Sequence, residues 1–127
     1  MLKQVQPVLP VRDIDAAVDY YVGRLGFTLV FKISGKPGYA VVRRDEVELH
    51  LQWHDPGEWQ RTERPMLRFL VADVDALFRE LEPRGVFHGQ TSLRATPWHT
   101  REFAFYDPDS NGLTFYVDVE PAQGTGC

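Results

Sequence analysis

The chain has 127 residues, 43% of them hydrophobic and 13% aromatic, enough for one compact domain to bury a core without disulfides or metals. Its formal charge of −4 gives no electrostatic reason to hold nucleic acid and weakly favours a cationic partner. No apolar run reaches membrane-spanning length and MLKQVQPVLP lacks a secretory pattern, so the expectation is a cytoplasmic protein whose lone Cys127 lies on a frayed tail.

In chain order, Val5 to Val11 reads as a strand and is followed by a helix. Asp13 stands where an N-cap carboxylate accepts backbone N–H groups, and Ile14, Ala17, Val18, Tyr21, Val22 and Leu25 keep the helical period until Gly26. Three strands return: Phe27 to Ile33, Tyr39 to Arg43 and Val47 to Trp53, with Gly35, Pro37 and Gly38 marking a turn. A polar loop, Gln52 to Pro65, carries Trp53, His54 and Trp59.

The same order then recurs. Val11 to Phe27 matches Val71 to Phe87 at an offset of 60 residues, aligning Asp13 with Asp73, Asp15 with Asp75 and Ala16 with Ala76. Met66 to Val71 is a strand, Asp73 caps a helix carrying Val74, Leu77, Phe78 and Leu81, and Pro83 and Gly85 stop it. A short strand, Phe87 to Gly89, and a loop, Gln90 to Thr100, lead to the last two strands, joined at Asp107-Pro108 and Asn111-Gly112. Phe103, Phe105, Leu113, Phe115 and Val117 take one face there, and Thr114, Tyr116 and Asp118 the other. The fold class is α+β, a single domain, 1–127, of two βαβββ modules at about 4–53 and 65–119 with a linker at 54–64.

These features resemble the glyoxalase/bleomycin-resistance/dioxygenase superfamily, also called vicinal oxygen chelate proteins. The likeness rests on the tandem βαβββ order, LPVRDIDAAVDYYVGRLGF and DPDSNG, and spans residues 2–119. Within it, PWHTREFAFYDPDSN is similar to the PWG-x-REF-A-x-x-DP stretch of bleomycin resistance proteins, with His99 where glycine is usual. The resemblance implies a glyoxalase-like cup-shaped sheet. It also implies, for the superfamily's enzymes, a divalent metal held from the first and last strand of each module. Here those positions map to Gln6, Glu48, Met66 and Thr114.

Gln6 and Glu48 could ligate such an ion, but Met66 offers a soft thioether and Thr114 a neutral hydroxyl, so no metal and no cofactor are expected. The cup face then presents Glu48, His50, Arg68, Thr114 and Tyr116, which suits a ligand pocket with a few polar anchors; alternatively, Glu48 and Arg68 pair with each other and fill it. Trp98, in the resistance-protein stretch, adds a stacking surface, while Trp53 and Trp59 either stack or seal their loop, and His54 and His88 have no assigned role. No phosphate loop, Cys-x-x-Cys pair or G-x-S-x-G elbow is present. The expected function is metal-free sequestration of a small planar, cationic antibiotic of the bleomycin type by a homodimer, with no role for nucleic acid or membrane. The alternative is a metal-dependent glyoxalase- or dioxygenase-like enzyme of the same superfamily.

Overall fold

The computed structural model describes residues 1–120, so Cys127 lies outside the described residues. The chain divides into two compact units: Met1–Pro65 with Pro108–Asn111, and Met66–Asp107 with the residues from Gly112. Each carries one four-stranded sheet and the fold is α+β.

In the first unit, β1 (Val8–Val11), α1 (Ile14–Gly23), β2 (Thr28–Ile33), β3 (Tyr39–Arg44) and β4 (Val47–Trp53) form a sheet ordered β1-β4-β3-β2, with α1 packed on one side. Leu9, Val11, Ala40, Val42, Leu49 and Leu51 are buried, as are Ile14, Ala17, Val18 and Tyr21 of α1. Each fully buried aliphatic side chain of this set contributes about 1.5–3 kcal/mol relative to exposure, so this layer fixes which face of the sheet is left over. Asp13 caps α1 by accepting from the Ala16 N–H.

The second unit repeats the order with β5 (Met66–Leu70), α3 (Val74–Leu81), β6 (Arg94–Ala95), β7 (Thr100–Tyr106) and β8 (Gly112–Asp118), in the sheet order β5-β8-β7-β6. Asp73 caps α3 through the Ala76 N–H. Its core is aromatic: Phe69 stacks on Phe115 at 4.8 Å between ring centroids, and Phe103 lies within 5.5 Å of Phe78, Phe87 and Phe115. The alternation expected of β7 and β8 therefore places Phe103, Phe105, Leu113 and Phe115 inside.

Four local readings change. Strand β1 begins at Val8 rather than Val5, since Pro7 has no N–H with which to extend the ladder and only its carbonyl accepts, from His50. Phe87 to Gly89 is no strand: the Phe87 ring joins the aromatic core, and the pairing partner of β7 is Arg94–Ala95. The loop after β4 contains a helix, α2 (Pro56–Arg61), started by Pro56 and by a reciprocal cap between Asp55 and Glu58. In the turn before β8 the left-handed residue is Ser110, not Asn111 or Gly112; Asn111 is buried and its amide donates to the Pro10 carbonyl. Arg12 completes that corner by donating from its backbone N–H and its Nε to Asp109, both at 2.9 Å.

Candidate functional site

In both units the face opposite the apolar layer sets polar side chains among exposed apolar ones such as Val8, Met66 and Leu70. On the first, β3 and β4 pair Arg43 with Glu48, Val41 with His50 and Tyr39 with Gln52. Glu48 receives a hydrogen bond from Arg43 at 2.6 Å on one oxygen, and from Gln6 and from His50 Nε2 at 3.1 Å on the other. The Arg43 hydrogen bond, aided by that of His50, holds the Glu48 carboxyl below its ordinary value. A carboxylate only accepts, so His50 donates from Nε2, while its Nδ1 lies 2.7 Å from the Tyr39 hydroxyl, within hydrogen-bond distance. Tyr39, His50, Glu48, Arg43 and Gln6 thus form one chain of hydrogen bonds. At its border Phe31 and Ile33 of the edge strand β2 stand 48% and 53% exposed.

On the second unit, β5, β8 and β7 set Arg68 beside Thr114, and Tyr116 between Leu70 and Glu102. Arg68 lies over the Tyr116 ring at 4.4 Å and donates to Glu102 at 3.3 Å. Glu102 is 4% exposed and accepts from the Thr100 hydroxyl at 2.7 Å. Burial pushes its carboxyl up, but hydrogen bonds from Thr100 and Arg68, the Arg68 charge and the Trp98 indole outweigh burial and leave it below the ordinary value. Trp98 itself is 59% exposed, on the turn Thr96 to His99 that leads into β7. His99 in that turn has φ 63°, the left-handed region, which explains why glycine suits the position.

The residues expected to bind ligand therefore fall into two sets. Glu48 and His50 share one network, while Arg68 and Tyr116 lie beside Glu102, Thr114 pairs with Arg68, and Trp98 stands on the turn that leads into β7. Glu48 and Arg68, expected as possible partners of each other, take Arg43 and Glu102 instead. Tyr39, Arg43, Thr100 and Glu102 also belong to these networks; they lie on β3 and β7, which alternate as clearly as the first and last strands of each module. Trp59 sits half-buried on α2 between the guanidinium groups of Arg12 at 4.4 Å and Arg64 at 3.8 Å, which is a packing role. Trp53 and His54 are half-buried too, and His88 stacks on Tyr106.

The chain matches the Glyoxalase/Bleomycin resistance protein/Dioxygenase superfamily over residues 3–115. It belongs to that superfamily. Bleomycin resistance proteins of Geobacillus stearothermophilus and Staphylococcus aureus are 33% identical to it over 136 aligned positions, covering 94% of this chain and 99% of each relative. Among solved structures, a bleomycin-binding protein from Streptomyces verticillus complexed with copper(II)-bleomycin is 28% identical, with a TM-score of 0.73 and coverage of 94% and 100%. The bleomycin resistance determinant of transposon Tn5 shares the fold at 22% identity, with a TM-score of 0.77 and coverage of 92% and 98%.

The divalent metal used by the superfamily's enzymes can be tested against these residues. Extending the observed pairing of Val8 with His50 makes Gln6 the partner of Glu48, but Met66 pairs with Gly112, while Thr114 pairs with Arg68. Gly112 and Thr114 lie two residues apart on the same face of β8, and neither offers a carboxylate or imidazole. A Cβ at Gly112 would lie 2.2 Å from Met66 Sδ, so the thioether already fills the place of a side chain there. Two hard donors engaged with each other, one thioether and one glycine do not fit a hard divalent ion, and the described residues contain no group of three or more His, Cys, Asp or Glu that could hold a metal.

Proposed function

We propose that the protein binds an antibiotic of the bleomycin type and protects by sequestration, without turnover. The observation that carries this reading is Trp98, an indole displayed at 59% exposure on a hydrogen-bonded turn in the stretch that resembles bleomycin resistance proteins. An exposed aromatic face attracts planar rings and cations, and the chain's charge of −4 draws a cationic ligand from a distance. Full-length similarity to bleomycin resistance proteins supports the same conclusion. Arg68, Thr114 and Tyr116 complete the proposed surface beside Trp98, and Glu48 and His50 contribute the polar face of the first unit. Trp98→Ala should weaken bleomycin binding about fivefold, the equivalent of about 1 kcal/mol, without unfolding the protein. Unchanged affinity in calorimetry would reassign Trp98 to packing.

We further infer a homodimer. The edge strand β2 exposes Leu29, Val30, Phe31 and Ile33, each by 40% or more, and an open apolar edge of this kind favours pairing with a second copy. Light scattering should give about 29 kDa, twice the 14.6 kDa chain; a monomer at micromolar concentration would contradict it.

A further inference from the structure

Thr100, on β7, has its hydroxyl committed to the Glu102 carboxylate at 2.7 Å, so its oxygen accepts from the Thr96 hydroxyl, also at 2.7 Å. Thr96 lies at the opposite foot of the Trp98 turn. Its backbone N–H donates to the Thr100 carbonyl at 2.9 Å, and its Oγ1 accepts the Thr100 N–H at 3.2 Å. The Trp98 indole also helps to hold that carboxyl below its ordinary value. Glu102 is therefore joined through Thr100 to both feet of the turn, while the Trp98 ring remains open to solvent.

We propose that Glu102 is the positioning residue of Trp98: its buried carboxylate, acting through Thr100 and Thr96, holds the turn that presents the ring to a ligand. A ring on an exposed turn has freedom in both χ angles, and a stacking contact is worth most when that freedom is removed before binding. Burial makes Glu102 suited to the task, since a carboxylate withdrawn from water holds its donors more firmly than a solvated one. Nothing in this role requires Glu102 to touch the ligand.

The inference rests on the reading that Trp98 stacks on bleomycin, and its test separates the two. Glu102→Gln keeps the size of the side chain and removes its charge. In ¹⁵N-labelled protein the three indole N–H signals can be sorted with Trp98→Phe, and the Trp98 signal should shift in Glu102→Gln as the turn beneath it loosens. Copper(II)-bleomycin should bind Glu102→Gln about fivefold more weakly than the parent, and no more weakly in Trp98→Ala/Glu102→Gln than in Trp98→Ala alone. Thr96→Val, which removes one hydroxyl at the far foot of the turn, should move both readouts in the same direction by less. It serves as the test if Glu102→Gln does not fold.

An unmoved Trp98 signal in both variants would overturn the positioning role. Additive losses in the double variant would overturn it too, by making Glu102 a direct ligand contact. A shifted signal with unchanged affinity in every variant would uphold the positioning of the ring and overturn the stacking reading instead.

Discussion

The two units start from the same βαβββ plan and place a glutamate on the same kind of face, yet the two carboxylates serve different ends. Glu48 is met by Arg43, Gln6 and His50, so its charge is balanced within a network that itself forms the surface. Glu102 lies deeper, takes its hydrogen bonds from Thr100 and Arg68, and supports a turn that leaves an aromatic ring as the surface. A carboxylate shared among polar neighbours makes a hydrophilic patch; a carboxylate withdrawn beneath a turn makes a platform. This contrast, arising from which strand carries the acid, is why the second unit is the better candidate for stacking.

The largest effect that would sharpen the contrast is on stability. Glu102→Ala leaves the buried Thr100 hydroxyl and the Arg68 guanidinium without their acceptor and should cost about 2 kcal/mol in urea unfolding, whereas Glu48→Ala, whose partners can turn to water, should cost clearly less. Equal losses would break the distinction. Both carboxyls lie below their ordinary value in the folded protein, so their stabilisation is whole above the ordinary value of 4.5 and is lost as pH falls below it through the depressed values. Unfolding midpoints should therefore drop between pH 7 and acid, and the drop should shrink in Glu102→Gln.

A smaller effect belongs to the first unit. Tyr39→Phe removes only the hydrogen bond to His50 and should cost about 1 kcal/mol or less, leaving bleomycin affinity unchanged if the stacking surface is on the second unit. A large loss of affinity would move the main contact to the Tyr39–His50–Glu48 chain. Smallest of all, His99→Gly relieves a left-handed residue in the Trp98 turn and should raise stability by up to about 1 kcal/mol. If it instead lowered stability, the His99 side chain would have to be contributing contacts that outweigh its backbone strain.

Much of this was legible in the amino-acid pattern, for physical reasons that differ from place to place. The caps Asp13 and Asp73 were visible because an acid before an apolar helical period has one structural use, and β4 emerged with its expected bounds, Val47–Trp53, because alternation there is uninterrupted. The helix α2 was hidden by its polar composition, although the order Asp55, Pro56, Glu58 is a start signal in its own right. Register was the harder quantity. Strand sequences align Thr114 with Glu48, but pairing depends on where β8 begins, and Gly112, which reads as a turn residue, is already its first residue. Glu102 is hidden because it lies on β7, neither the first nor the last strand of its module, next to the core aromatic Phe103.

The central claim is binding without turnover on the Trp98 face, and calorimetric titration with copper(II)-bleomycin, followed by mass spectrometry of the recovered ligand, tests it most directly. The account predicts saturable binding that is weakened about fivefold by Trp98→Ala, with the ligand recovered unaltered. No binding at micromolar concentration, or a ligand returned chemically changed, would contradict it.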